Sequence, residues 1–150
     1  MNPLRTFVSA HASGLVVAAV LVVALAASAL YGNAVRAEAG RVLVSRVLSE
    51  ADAALVSMEG AEVFPEFVTR GQEFENSVML YLGSDVADRY PEVTVVVAGA
   101  LDDVRAAHEA WAAEVETQPG AGRPAGTTSL LDSAGQRLSE ARRAADADTN

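Results

Sequence analysis

Between Arg5 and Arg36 the chain carries no charged side chain. The heart of this interval, Gly14 to Tyr31, reads GLVVAAVLVVALAASALY, with Ser28 its only polar residue before the closing tyrosine. About 20 helical residues cross the roughly 30 Å of bilayer hydrocarbon, and the stretch reaches that length when Ala10 to Ser13 and Gly32 join it. Leu15, Leu21, Leu25 and Leu30, with Val16, Val17, Val20, Val22 and Val23, supply the apolar weight. Together they favour insertion by roughly 3 to 5 kcal/mol, alanine being near neutral. Tyr31 stands where an amphipathic ring suits a membrane interface. A helix apolar on every face would otherwise need a larger core than a chain of this size builds. The sequence therefore predicts a short N-terminal tail over residues 1–12 and a transmembrane helix over 13–32.

The rival is a cleaved signal peptide. Arg5 is its basic flank, Leu15 to Ala27 its apolar region, and Ala27-Ser28-Ala29 a small-x-small cleavage site after residue 29. Retention is favoured because the apolar run is longer than such a region usually is. Orientation rests on few charges. Arg36, Arg41 and Arg46 on the C-terminal side outnumber Arg5 and the α-amino group, which favours a cytoplasmic C-terminal domain by a small margin. A short tail with Arg5 also fits the opposite insertion. Small residues recur every four positions, Ala10, Gly14 and Ala18 on one face and Ala24, Ser28 and Gly32 on another. Such spacing lets two membrane helices approach closely, so Gly14, Ala18, Ala24, Ser28 and Gly32 are a candidate dimer face.

Every Asp and Glu lies at Glu38 or beyond, so the remainder is more acidic than the net charge of -9 suggests. An acidic domain repels phosphate backbones, and nucleic acid is not an expected partner. The absence of cysteine removes disulfides and thiolate metal sites. All basic residues are arginine, which reads as coding bias in an Ala- and Val-rich chain.

Three amphipathic patterns follow the apolar segment. In the first, about Asn33 to Glu59, Val44, Val47, Leu48, Ala51, Leu55 and Met58 recur at three- and four-residue steps, and Gly60 is a natural stop. The second opens at Pro65 and closes at Gly83, with Phe64, Phe67, Val68, Phe74, Val78, Tyr81 and Leu82 on one face. Ser84 and Asp85 are competent caps for the next helix. The third aligns Val93, Val97, Leu101, Val104, His108, Trp111 and Val115. Its β-branched run, Thr94 to Val97, taken alone would suit a strand, but the seam continuing to Val115 decides for helix. Pro91 either starts that helix or kinks one begun at Ser84. From Thr117 the composition changes, and Gln118 to Ser129 (QPGAGRPAGTTS) reads as a flexible linker. Beyond it, Leu130, Leu131, Ala134, Leu138, Ala141 and Ala145 make a thin apolar face for one short helix, marginal by itself.

The expected fold class is thus all-α. One N-terminal transmembrane helix is followed by a helical hairpin or three-helix bundle over 33–117 and a flexible tail over 118–150.

Motifs that carry chemistry are missing. His108-Glu109 would need a histidine at Ala112 to make the HExxH zinc helix. Glu59, Glu62 and Glu66, and Asp85 and Asp88, crowd the interhelical turns. No calcium-loop spacing joins them, and acids belong in first turns for the helix dipole. Neither G-x-S-x-G nor a phosphate-binding glycine loop occurs. No catalytic, cofactor-binding or metal-ligating residue is nominated, no cofactor is expected, and the chain is expected not to be an enzyme. Trp111, the sole tryptophan, is a candidate partner or core anchor. The layout resembles small single-pass membrane proteins of bacteria or their phages, an analogy of architecture alone. The expected role is a protein-interaction or scaffold module of the cell membrane, contacting the bilayer through its helix and a protein partner or a second copy through its domain. The alternatives are an exported soluble helical protein and a phage lysis or envelope accessory.

Overall fold

Apolar residues at alternating four- and three-residue steps give a helix one narrow seam, and helices with such seams pack side by side. In a computed structural model of the chain, four α-helices do so. The structure describes the backbone of residues 3–147 and the side chains of residues 31–147. The helices are α1 (Pro3–Glu59), α2 (Phe64–Leu82), α3 (Pro91–Thr117) and α4 (Ala125–Ala147), with a single 3-10 turn at Ala87–Arg89. No strand occurs among the described residues.

The chain divides into two compact units, Met1–Ala39 and Gly40–Asn150. In the first, the backbone is helical from Pro3 onward and the side chains of Tyr31 and Val35 are exposed. The expected transmembrane helix falls almost wholly outside the residues whose side chains are described. So do Gly14, Ala18, Ala24 and Ser28 of the candidate dimer face, and the cleavage point after Ala29. Among the described residues no helix is long and apolar enough to cross a membrane.

The second unit holds the core. From α1 it buries Val44, Val47, Leu48, Ala51, Leu55 and Met58, the seam expected from the sequence. Gly60 N–H still reaches Val56 O after the helix ends. Helix α2 buries Phe67, Gly71, Phe74, Val78 and Tyr81. Gly71 faces α1, where a Cβ would stand 3.5 Å from Met58 Cε, an ordinary contact distance. Helix α3 begins at Pro91, in the first turn where a missing N–H costs nothing, so the proline starts the helix and does not kink one. Thr94 to Val97 are helical. Burial of Val93 and Val97 beside Ala100, Leu101 and Val104 outweighs their β preference. Ser84 caps backward: its hydroxyl donates to Tyr81 O at the end of α2, and Asp85 pairs with Arg89 at 2.8 Å.

The expectation of a flexible tail is overturned. Only Gln118 to Pro124 connect, and α4 then buries Thr127, Leu131, Ala134, Leu138 and Ala141. These residues repeat at 4-3-4-3 spacing, the same rhythm as Val93, Val97, Ala100, Val104, Ala107 and Trp111 on α3. The apolar face is thin because it is made of small residues, and facing alanines let α3 and α4 approach closely. The bundle accordingly has four helices where a hairpin or a three-helix bundle was expected. Gly71 against Met58 joins α2 to α1, and Leu55 against Gly135 joins α1 to α4. Arg105 on Glu75 joins α3 to α2, and Arg137 on Asp103 joins α4 to α3. Each helix therefore neighbours those before and after it, and α4 closes the ring on α1.

Candidate functional site

Two groupings combine polar chemistry with the core, one at each end of the bundle. At the end where α1 finishes, Trp111 is completely buried. Its ring lies 4.9 Å from Phe67 and 5.8 Å from Phe64, centroid to centroid. Above it sits Arg123, its guanidinium carbon 5.4 Å from the ring centroid, within cation–π range. Arg123 Nη2 donates to Met58 O at 3.0 Å and Ala61 O at 2.5 Å. Met58 stands in the last turn of α1 and Ala61 two residues past its end, where carbonyls lack the i→i+4 helical partner, although Met58 O also accepts Ala61 N–H at 3.1 Å. Trp111 Nε1 points toward Ala121 O at 3.5 Å. Arg123 thereby ties the α3–α4 connection to the end of α1 and lies as a lid over the Trp111 ring. The Trp111 side chain is wholly enclosed by this cluster.

His108 stands where the seam meets that cluster, half-buried and edge-on to Phe64 at 5.5 Å. Among the described residues no group of three or more His, Asp or Glu is placed to hold a metal ion. Glu66 stands in the first turn of α2, the position the helix dipole favours for an acid. Of the candidate dimer face, Gly32 alone is described, and a Cβ there would meet nothing within 4 Å.

At the opposite end of the second unit, a cavity of about 220 Å³ opens between α1, α4 and the residue before α3. Val44, Leu48, Ala145 and Tyr90 line it. Arg41 and Ser45 from α1 and Arg142 and Asp146 from α4 complete the lining. Arg142 reaches Asp52 at 3.8 Å, with both side chains about half exposed. Close by, Thr94 Oγ1 donates to Ala87 O at 2.8 Å and so receives the Tyr81 hydroxyl hydrogen at 3.0 Å. Burial pushes the Tyr81 phenol above its ordinary value, the Thr94 bond opposing and Tyr90 adding slightly.

No protein family, curated protein or solved structure matches this chain. Neither polar grouping was legible as a site in the sequence. Arg123 stands inside a glycine-proline connection, Arg41 figured only as a topology charge, and Arg142 belongs to the stretch expected to be a tail. The one available signal was the 4-3 spacing from Thr127 to Ala141, which marks a packed helix.

Proposed function

We propose that the chain is a non-enzymatic, single-pass membrane-anchored helical module that binds a protein partner or a second copy of itself. The observation that carries this reading is that the uncharged apolar stretch and the first helix of the core belong to one element, α1 (Pro3–Glu59). A self-contained four-helix core then offers exposed apolar side chains for contact. Val42 and Val56 lie on α1, and Leu80 and Val95 lie one residue either side of the Tyr81–Thr94 hydrogen bond. The bilayer is the partner of the N-terminal segment, through residues 13–32, and the basic-residue count favours the cytoplasmic side for the core by a small margin. Alkaline carbonate extraction tests the anchor, and a reporter fused after Asn150 tests the side. Cross-linking in mild detergent tests association. A protein released by carbonate, or one that is monomeric and partnerless in detergent, refutes the corresponding half of the proposal.

A second reading has its own support. Among the described residues the core cluster and the side chains packed on it run from Leu43 to Ala145, all of which an exported helical protein cleaved after Ala29 would retain. The intact mass of the mature chain distinguishes the two, since retention of Met1 to Ala29 excludes release.

A further inference from the structure

We propose that a second copy of this chain covers the outer face of α1, in a parallel, in-register pairing seamed by Val42, Arg46, Ser49, Ala53 and Val56. The helix carries two stripes in place of one. Val44, Leu48, Ala51, Leu55 and Met58 are buried in the bundle, at steps of four, three, four and three. Two residues before each of them stands a second stripe with the same rhythm, Val42 to Val56. Two residues make about 200° of turn at 3.6 residues per turn, so this stripe runs along the opposite side of the helix, and all five of its residues are exposed. A surface helix ordinarily keeps that side charged and polar. Here Arg46 is its only charge, and Val42 and Val56 stand 60% and 61% exposed. Alternating steps of three and four are the spacing at which two helices join in a coiled coil.

Two observations select a second copy as the occupant. In the sequence the stripe continues back from Ala39 to Gly14 at unbroken three- and four-residue steps, and it takes in Gly14, Ala18, Ser28 and Gly32 of the candidate dimer face. The inference rests on the anchored reading here, because a shared bilayer holds two copies parallel and at one depth. Each level of the stripe then meets its own counterpart, valine on valine and alanine on alanine. Charge is the second observation. In a chain of net charge -9 this side of α1 is balanced, Arg41 and Arg46 standing against Glu50 and Glu59, while Asp52 faces Arg142 at 3.8 Å. Two acidic molecules meet there without net repulsion. On α3, by contrast, Asp102, Glu109 and Glu116 are exposed, and its one arginine, Arg105, is engaged by Glu75. Arg46 lies 2.7 Å from Glu50 of its own helix, so the arginine level of the seam is neutral within each copy. One polar level in such a seam costs stability and fixes register.

The chain has no cysteine, so single substitutions report the pairing directly. Val42→Cys, Ser49→Cys and Val56→Cys are made in the full chain and oxidised in the membranes of the expressing cells, and the homodimer band is followed with time. Each should cross-link about tenfold faster than Leu80→Cys or Ser139→Cys, since bridging needs Cβ atoms roughly 3.5 to 4.5 Å apart. Leu80 and Ser139 are exposed on α2 and α4, away from the stripe. Adding Ala53→Glu and Val56→Glu to Ser49→Cys sets like charges across the seam and should slow its bridging about tenfold. Both positions are exposed, and an unchanged helical circular dichroism spectrum will confirm folding. The proposal is overturned by equal rates at stripe and control positions, by a cross-linked product of heterologous mass, or by a double-glutamate variant that bridges as fast as its parent. Carbonate extraction of the same membranes keeps this inference apart from the anchor. Chain retained in the membrane but unpaired overturns the seam alone, and chain released by carbonate overturns the anchor and the parallel pairing with it.

Discussion

Replacing Arg123 with alanine separates a packed fourth helix from a flexible tail. In a flexible linker the substitution would cost close to nothing, since exposed changes away from specific contacts fall within about 0.5 kcal/mol of zero. The structure gives a different figure. Arg123→Ala removes two hydrogen bonds from a charged donor to Met58 O and Ala61 O, each worth roughly 1.5 to 3 kcal/mol when shielded from water. It also removes a cation–π contact with Trp111, roughly 0.5 to 2 kcal/mol. Two things reduce the sum. Arg123 is only half-buried, so water competes for those carbonyls. Its Nε is buried without a hydrogen-bond partner, a cost of roughly 1 to 3 kcal/mol that the substitution relieves. The balance is a loss of about 2 to 3 kcal/mol, or roughly 10 °C in Tm for a domain of this size. Trp111 is the sole tryptophan and is wholly buried, so its emission reports the same locus. The variant's spectrum should shift to the red before global unfolding as the lid above the ring opens. Urea unfolding followed by Trp111 emission and by circular dichroism measures both effects. A loss under about 0.5 kcal/mol with an unchanged spectrum would refute the lock.

Leu138→Ala, at a side chain 1% exposed, should cost about 2 to 5 kcal/mol by cavity formation. A neutral result in the same urea assay would mean α4 does not pack. Gly99→Ala should be neutral to mildly stabilising. Its Cβ would stand 2.8 Å from Arg137 Nη1, the movable end of a flexible chain. The gain in helix propensity, about 1 kcal/mol, then offsets a weakened Arg137–Asp103 pair, whose arginine is 44% and aspartate 17% exposed, at a cost of about 1 kcal/mol. A Tm drop beyond about 5 °C would show the pair is worth more than that. At Tyr81 the native state favours the neutral phenol. Its stabilisation is therefore complete below the ordinary phenol value near 10 and is lost as pH rises through the higher folded one. Tyr81→Phe should cost about 1 kcal/mol at neutral pH and flatten the decline in Tm between about pH 9 and 11. A variant that declines in parallel with the native protein would assign the alkaline loss to another group.

The core of α1, α2 and α3 was legible because its residues are large enough to make periodicity visible. Val44 to Met58, Phe67 to Tyr81 and Val93 to Trp111 each alternate at helical spacing, with proline or glycine near their ends. Helix α4 was hidden by the opposite circumstance. Thr127, Ala134 and Ala141 are weak hydrophobes, Gly126 and Thr128 are poor helix formers, and the preceding glycines and prolines mimic a linker. Its stability comes from tertiary burial that no local propensity records. The cavity was hidden for a related reason. Arg41 and Arg142 are 101 positions apart in sequence, and only the closure of α4 onto α1 brings them to one mouth.

That closure also explains how a small core can hold with so few aromatic residues. Leu138 and Leu131 fill the space between alanines, while Gly99 leaves room for Arg137 to lie along α3 and reach Asp103 at 2.8 Å. Ser133 donates to the same carboxylate oxygen at 2.8 Å, so Asp103 receives two donors from α4 in a position only 17% exposed. The polar clasp fixes the axial register of a seam whose alanines, lacking distinctive shape, specify register weakly. Arg123 plays the corresponding part at the chain connection, by gripping the carbonyls of α1. Small side chains therefore set how near the helices come, and two arginines set where along each other they stop.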